Sequence, residues 1–179
     1  MLVFETPRLR VRQVAEKDLG VLIPHRCDPE LTRYITTHTP ESAQKYYQGL
    51  LGPWSQEDQA WFCMVMEQKS DGQIVGELVF RYIDKRSLLA EFGYVIQQAF
   101  QRQGFGAEGT QALLQHAFQV WKLHKVLAIC DTRNVASYGL MEHLGMQREA
   151  HFRQHSRMGE DWVDLFQYGL LAAESAWSG

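Results

Sequence analysis

Residues 101–109 read Gln-Arg-Gln-Gly-Phe-Gly-Ala-Glu-Gly and lie between two regular patterns. A strand pattern, Glu91 to Ile96, precedes them, and a helical pattern, Thr110 to Trp121, follows them. The helix has apolar residues at positions 113, 114, 117, 118 and 121, which give it one buried face. In a glycine-rich turn the backbone can approach phosphate oxygens closely, and the free N–H groups of the helix that follows point at them. We therefore expect this turn to bind a phosphorylated molecule.

The three glycines also match the spacing G-x-G-x-x-G of dinucleotide-binding folds, and Asp131 follows the last of them by 22 residues. In those folds the first glycine comes directly after its strand, and several strand–helix units follow. Here residues 97–103 separate the strand from Gly104, and the remaining chain has room for about one helix and two or three strands. The context therefore favours another phosphorylated ligand.

Composition predicts one soluble domain over residues 1–179. The hydrophobic content of 45% is sufficient for a substantial core. A net charge of −3 and a pI near 6.2 provide no surface for a polyanion, so we expect no nucleic-acid partner. The first twelve residues are too short and too charged for a signal peptide, and no run of about 18 apolar residues is present for a membrane span. We expect a cytoplasmic protein without a membrane partner.

Cysteine and histidine usage indicates no metal site. Cys27, Cys63 and Cys130 are odd in number and lie within apolar runs, which predicts buried thiols in a reducing compartment. The seven histidines show no metal-ligand spacing. We therefore expect no metal.

The patterns along the chain predict an α+β domain. Both faces of the middle strands are largely apolar, so helices should cover a mixed, mostly antiparallel central sheet on both sides. The predicted strands are a first strand near Leu9 to Gln13, a hairpin of Trp61 to Gln68 and Ile74 to Ile83 around Asp71-Gly72, then Leu88 to Ile96, Val126 to Cys130, a strand around Phe152, and Trp162 to Leu170. The other predicted helices are Ala15 to Ile23 stopped by Pro24, one starting at Thr39 and ended by Gly52-Pro53, and Asn134 to Leu144 ended by Gly145.

Three motifs and the opening segment of the chain resemble the GNAT acetyltransferases. Gln-Arg-Gln-Gly-Phe-Gly at 101–106 is similar to the acyl-CoA pyrophosphate loop, Q/R-x-x-G-x-G/A. Residues 134–146, from Asn134 to Met146, resemble the family's N-x-x-A/S-x-x-L-x-E-K-x-G-F. The opening Glu-Thr-Pro-Arg-Leu-Arg at 5–10 and the segment 159–171 are similar to the branch that acetylates the N-termini of ribosomal proteins. The resemblance covers nearly the whole chain and implies the GNAT fold.

The resemblance implies that acetyl-CoA is the co-substrate and an amine the acceptor. It assigns Val95 and Ile96 to the pantetheine arm through their backbone groups, and it gives Asn134 a hydrogen bond to the same arm. It assigns the pyrophosphate to one continuous run, Arg102, Gln103, Gly104, Phe105, Gly106 and Ala107. Asn134 could instead cap its helix, or do both.

Two residues are candidates for catalysis. A primary amine is mostly protonated at neutral pH, so a base is needed, and Glu91 on the strand before the loop is our candidate; the alternative is a structural ion pair. Ser137 could donate a hydrogen bond to the thioester sulfur or the departing thiolate; the alternative is a hydroxyl bonded to its own helix. The family's usual tyrosine position holds Met141, and its usual second carboxylate position holds Ile129, with Asp131 a poorer substitute two residues later.

Three functions remain open at this stage. The first is acetylation of a protein N-terminal amine, possibly of a ribosomal protein, and the second is acetylation of a small amine such as a polyamine, an amino acid or an aminoglycoside. The third is an acyl-CoA-binding sensor or interaction module without turnover, because a fold does not guarantee a function. The chain could act as a monomer or as a homodimer.

Overall fold

The alternating apolar residues of the strand patterns build one sheet, and four α-helices pack on it. The structure is a computed structural model, and it describes residues 2–177. Its strands are β1 Leu2–Glu5, β2 Leu9–Gln13, β3 Phe62–Gln68, β4 Ile74–Asp84, β5 Leu89–Ile96, β6 Lys125–Asp131, β7 Gln147–Met158 and β8 Asp161–Leu171. Its α-helices are α1 Leu19–Cys27, α2 Pro40–Gln48, α3 Phe105–Gln119 and α4 Val135–His143.

The sheet is mixed and mostly antiparallel, as predicted. Its order is β1-β2-β3-β4-β5-β6-β8-β7. Every neighbouring pair is antiparallel except β5 and β6, which are parallel. The parallel pair follows from the connection through α3, since a crossover returns the chain in the same direction. The α+β prediction is confirmed.

Helices cover both faces of the sheet. On one face, Leu113 and Leu114 of α3 and Met141 of α4 join a large apolar cluster with alternate residues of the strands. On the other face, Leu22 of α1 and Tyr47 of α2 join a smaller cluster with residues of β3 and β4. The two clusters follow from the period of two along a strand, which sends neighbouring side chains to opposite faces.

A buried carboxylate holds the layer of α1 and α2 to the sheet. Glu77 of β4 is 3% exposed, and its Oε1 lies 2.5 Å from Nη2 of Arg26 in α1. Its Oε2 accepts a hydrogen bond of 2.8 Å from the Tyr47 hydroxyl of α2 and faces the Cys63 thiol at 3.7 Å. Burial and the neighbouring Glu77 charge raise the pKa of Cys63, so this thiol stays protonated.

The sheet parts between β5 and β6. Their pairing is limited to Leu89–Glu91 against Lys125–Leu127. Beyond these residues β5 continues with β4, and β6 continues with β8, so the two halves of the sheet diverge. The divergence leaves one edge of β5 unpaired from Phe92 onward.

The bounds of α1 and α2 differ from the prediction. A short 3₁₀ turn occupies Glu16–Asp18, and α1 then runs through Pro24 to Cys27. Pro24 has no N–H to donate to the Gly20 carbonyl, so one helical hydrogen bond is lost. Because Gly20 is exposed, water can donate to that carbonyl instead. The helix predicted to start at Thr39 also ends earlier than Gly52-Pro53, because α2 stops at Gln48 with Gly49 as its C-cap.

The helix predicted from Thr110 begins at Phe105 instead, so two of the three glycines lie inside α3. Their lack of a side chain is used for packing. A Cβ on Gly109 would collide with Sδ of Met66 on β3, and one on Gly106 would lie 3.2 Å from Cγ1 of Ile96. Period alone could not find this start, because glycine carries no apolar signal.

The thiol prediction is confirmed in part. Cys63 and Cys130 are buried, whereas Cys27 is partly exposed, and all three are free. Among residues 2–177, no helix has the length and apolar character needed to cross a membrane.

Candidate functional site

A cavity of about 560 Å³ opens where β5 and β6 part. One wall is the end of β5 with the turn that follows it, and the opposite wall is the first half of α4. Eight of the predicted site residues line it: Val95, Ile96, Arg102, Gly104, Gly106, Ala107, Asn134 and Ser137. Glu91, Gln103 and Phe105 are not among the lining residues. The cavity therefore brings together predicted site residues that lie about 40 positions apart along the chain.

The turn before α3 has the backbone of an anion site. Arg102 and Gly104 both have positive φ, 60° and 81°, and they flank Gln103. The first hydrogen bond within the helix runs from Glu108 N to Gly104 O at 3.0 Å. The N–H groups of Phe105, Gly106 and Ala107 therefore have no acceptor inside the helix and carry the positive end of its dipole. An anion such as a diphosphate fits this arrangement.

The side chains of Phe105 and Gln103 do not line the cavity; both make contacts within the turn. Phe105 is 5% exposed and packs edge-on against Phe100 at 6.0 Å between ring centroids. The Gln103 side chain donates to the Ala99 carbonyl at 2.7 Å. Only the backbone of these two residues is available to a ligand.

The unpaired edge of β5 presents backbone groups to the cavity. The Ile96 carbonyl accepts a hydrogen bond of 3.0 Å from Gln101 Nε2, so it points away from β4. The Val95 carbonyl approaches Gly76 on β4. Because backbone groups of neighbouring strand residues point to opposite sides, those of Tyr94 and Ile96 face the gap. An extended ligand can add along this edge as a strand would.

Asn134 and Ser137 begin α4 on the opposite wall. The Asn134 side chain caps the helix by accepting from Ser137 N at 3.2 Å. Across the gap, the Tyr94 hydroxyl lies 2.9 Å from the Ser137 carbonyl and 3.2 Å from Ser137 Oγ. Burial raises the pKa of Tyr94 to about 12, although the Ser137 hydrogen bond opposes the shift, so the phenol is protonated. The Ser137 hydroxyl is held at the cavity by a residue of β5.

Tyr94 is one of the cavity residues that sequence reasoning missed. Met141, at the position where a tyrosine is usual, is 2% exposed and belongs to the apolar cluster. Tyr138 packs against Phe166 at 5.8 Å between centroids, away from the cavity. The alternation of side chains along a strand places Tyr94 on the same face as Phe92 and Ile96, but it does not predict that α4 lies opposite that face.

Burial also keeps the neighbouring thiol of Cys130 protonated. Burial raises the pKa of Cys130 to about 11, partly offset by a hydrogen bond with Ser137. The thiol is therefore a weak nucleophile at neutral pH.

Glu91 lies on the other face of β5, in an ion pair. Arg81, directly opposite on β4, donates to Glu91 Oε2 from Nε at 2.9 Å and from Nη2 at 2.5 Å. The Arg81 guanidinium in turn lies 4.4 Å from the centroid of the Trp61 ring. Among residues 2–177, no side chain or backbone group bonds Glu91 Oε1. One oxygen of the predicted base is therefore engaged and the other is available.

Asp131 is also neutralised by an arginine. It ends β6, is 2% exposed, and accepts from Arg133 through N, Nε and Nη2 at 2.8, 2.9 and 2.6 Å. Burial raises the pKa of Asp131, but the Arg133 hydrogen bonds outweigh this and hold the pKa below its usual range. The Arg133 guanidinium lies 6.0 Å from the ring centroid of Tyr34, in the segment between α1 and α2.

That segment closes one side of the cavity with five lining residues, Glu30, Leu31, Arg33, Tyr34 and Ile35. Sequence reasoning assigned none of these residues to the site; it considered Tyr34 for an acceptor pocket but favoured the core for such aromatic residues. The Glu77–Arg26 pair at the end of α1 anchors the segment to the sheet.

Comparison with known proteins agrees with this geometry. A family model described as Acetyltransferase (GNAT) domain matches residues 8–147. Uncharacterized N-acetyltransferase YnaD of Bacillus subtilis (strain 168) is 27% identical over 172 residues, which are 94% of this chain and 96% of the relative. Two solved structures share the fold at 19% identity. RimL, a ribosomal L7/L12 alpha-N-protein acetyltransferase in complex with coenzyme A, has a TM-score of 0.83 over 96% of this chain and 98% of its own. Spermidine N-acetyltransferase from Vibrio cholerae, in complex with CoA and spermine, has a TM-score of 0.81 over 94% and 98%.

Proposed function

This chain belongs to the GNAT acetyltransferases, and we propose that it transfers an acetyl group from acetyl-CoA to a primary amine, with residues 1–179 acting as one domain. The observation that carries the proposal is the parting of β5 and β6, which ends in a turn with an anion-binding helix start. The gap offers an extended ligand a strand edge, and the turn offers its phosphates free N–H groups.

The residues present fit the co-substrate. The backbone from Arg102 to Ala107 would hold the diphosphate, with the Arg102 side chain beside it. The backbone groups of Ile96 and the side chain of Asn134 would hold the pantetheine arm, and Val95 would line it. Acetyl-CoA supplies an activated thioester whose thiolate leaves when an amine attacks the carbonyl carbon.

Three groups of the chain would act on the reaction. Glu91 would accept the proton of the amine through its available Oε1, directly or through water. Ser137 would donate a hydrogen bond to the thioester sulfur and to the thiolate charge as it develops. A free N–H of β5 would polarise the carbonyl.

A protein N-terminal amine is the acceptor we favour. The opening motif at 5–10 and the fold shared with RimL are consistent with it. Spermidine N-acetyltransferase shares the fold equally well, so the fold does not choose between them. The pairing of two carboxylates supports the protein amine, because Glu91 and Asp131 each form an ion pair with an arginine, whereas a polycation is bound by unpaired carboxylates. We place the enzyme in the cytoplasm, as a monomer or a homodimer, without metal, membrane or nucleic acid.

A binding module without turnover is the second candidate, and one observation favours it. Met141 is locked in the core and Ile129 carries no carboxylate, so two usual catalytic positions are lost. Such a protein would bind acyl-CoA through the same turn but release no thiol.

The deciding experiment measures free-thiol release from acetyl-CoA with peptides starting in Ser or Ala and with a panel of small amines. We expect turnover with the peptides; turnover with spermidine alone would contradict the favoured acceptor, and CoA binding without turnover on any amine would favour the module.

Glu91→Gln should lower kcat/KM at every pH at which the wild type is active, and Ser137→Ala should lower kcat more than acetyl-CoA affinity. Glu149→Gln is the matched control, because Glu149 is a strand carboxylate ion-paired with Lys125 away from the cavity. Unchanged activity in Glu91→Gln would mean that Glu91 is not the base.

A further inference from the structure

Arg8, in the turn between β1 and β2, reaches the anion site from 95 positions earlier in the chain. Its Nη1 donates to the Gln103 carbonyl at 3.0 Å, inside the turn that precedes α3. Its guanidinium carbon lies 4.1 Å from the centroid of the Phe105 ring. Arg8 therefore touches two consecutive parts of the turn whose backbone is set to bind an anion.

Glu108 in the first turn of α3 fixes the direction of Arg8. One carboxylate oxygen accepts from Arg8 Nε at 2.5 Å, and the other accepts from the Arg8 backbone N at 2.9 Å and from the Thr6 hydroxyl at 2.5 Å. Burial would raise the pKa of Glu108, but these bonds from Thr6 and Arg8 outweigh it and hold the pKa below its usual range. The carboxylate is ionised at neutral pH.

An ionised carboxylate beside an anion site weakens that site unless its charge is compensated. Two unit charges about 6 Å apart repel by several tenths of a kcal/mol even in water, and by more near a protein surface. Arg8 compensates the Glu108 charge, but one arginine nitrogen remains unused. Among residues 2–177, no group bonds Nη2, which would lie 3.3 Å from a Cβ placed on Gly104.

We propose that Arg8 is part of the phosphate site: Nη2 donates a hydrogen bond to the diphosphate of acyl-CoA over Gly104, while Nη1 and Nε hold the turn in shape. The inference rests on the proposed acyl-CoA site and adds a cation from the N-terminal strands to a site otherwise made of the turn and α3. Gly104 has a φ of 81°, which favours glycine, and a Cβ there would also lie 3.3 Å from Nη2 of Arg8.

The test measures the dissociation constants of CoA and of 3′-dephospho-CoA by calorimetry, together with the Tm of the free protein. We expect Arg8→Gln to weaken both ligands about tenfold or more, since a charge-assisted hydrogen bond to phosphate is lost. Arg10→Gln is the matched control, because Arg10 is equally exposed on β2 but pairs with Glu5 and Glu67, away from the turn. It should bind both ligands as the wild type does.

A double variant separates direct contact from mere compensation of charge. If Nη2 contacts the diphosphate, the double variant Arg8→Gln with Glu108→Gln still binds CoA as weakly as Arg8→Gln alone. If Arg8 only neutralises Glu108, the double variant regains wild-type affinity, and the proposal is wrong. A loss confined to CoA would also overturn it, because the contact would then be to the 3′-phosphate. Wild-type protein that binds neither ligand would overturn the acyl-CoA site itself, whereas a binding wild type with an equally binding Arg8→Gln would overturn only the role of Arg8.

Discussion

At the scale of single residues, one phenol connects the two walls of the cavity. The Tyr94 hydroxyl on β5 donates to the Ser137 carbonyl at the start of α4 and lies within 3.2 Å of Ser137 Oγ. The phenol is also close enough to donate to Oγ, and in that arrangement the serine keeps its own proton for the thioester sulfur of the proposed reaction. In our proposal the phenol therefore positions the serine hydroxyl at the cavity.

We predict that Tyr94→Phe lowers kcat about fivefold and changes the KM for acetyl-CoA less. The reason is that one hydrogen bond of about 1 kcal/mol orients Ser137, which in our proposal donates to the leaving sulfur. Steady-state kinetics by thiol release would measure both constants. Tyr138→Phe is the matched control, since its ring packs on Phe166 and away from the cavity, and it should leave both constants unchanged. An equal loss in kcat and in CoA affinity would contradict the role proposed for Tyr94.

At the scale of elements, α3 and α4 each contain a glycine, and the space around the two glycines differs. A Cβ on Gly109 of α3 would collide with Sδ of Met66, whereas nothing lies within 4 Å of a Cβ on Gly139 of α4. We predict that Gly109→Ala lowers the free energy of unfolding by about 1–3 kcal/mol through overpacking. Gly139→Ala should raise it by up to about 1 kcal/mol, because alanine is the better helix former. Urea denaturation of the two variants checks the pair, and a stabilised Gly109→Ala would refute the packing argument.

The start of α1 is held by a buried ion pair that depends on pH. Asp18 accepts from Arg12 Nη1 and Nη2 at 2.7 and 2.8 Å and from Ala15 N at 2.8 Å. Burial alone would raise the pKa of Asp18, but these bonds lower it overall. A lowered pKa in the folded state means that the stabilisation is present above the ordinary pKa of Asp and is lost as the pH falls through the folded value.

We therefore predict that Asp18→Asn lowers the free energy of unfolding by about 2 kcal/mol at pH 7. The loss is smaller than for an arginine with a single partner, because Arg12 still forms its ion pair with Glu67. The difference between variant and wild type should shrink as the pH falls below about 4. Denaturation curves from pH 3 to pH 7 measure this, with the exposed neighbour Glu16→Gln as the control. A difference that stays constant over the whole range would show that the charge of Asp18 does not matter.

The secondary-structure elements show which parts of the fold could be predicted from the sequence. Periodic patterns found the strands around the cavity and the glycine turn, because burial repeats every two or 3.6 residues. They missed β1, the start of α3 at Phe105 and the passage of α1 through Pro24, where packing against the sheet overrides local propensity. Tyr94 and Arg8 could not be found from sequence, since each acts on a residue more than 40 positions away that only the fold brings near.

At the scale of the whole molecule, Glu77 joins the layer of α1 and α2 to the sheet. Removing one partner of a buried ion pair leaves the other charge without compensation. We predict that Glu77→Gln lowers the free energy of unfolding by about 3 kcal/mol and speeds amide exchange in residues 28–37 beside the cavity. Denaturation and hydrogen exchange measure the two effects. Glu5→Gln, in an exposed ion pair with Arg10 and Lys69, should change little. Faster exchange confined to the ends of the chain would contradict the anchoring role.

The short pairing of β5 with β6 has a consequence for the life of the protein in a cell. Three residues of β5 join the two halves of the sheet, and in our proposal acyl-CoA binds along the unpaired rest of that strand edge. A metabolite that completes a sheet also protects the chain from proteases, since it binds the folded form alone. With the proposed acyl-CoA as that ligand, proteolysis of the chain would slow as the acyl-CoA concentration rises.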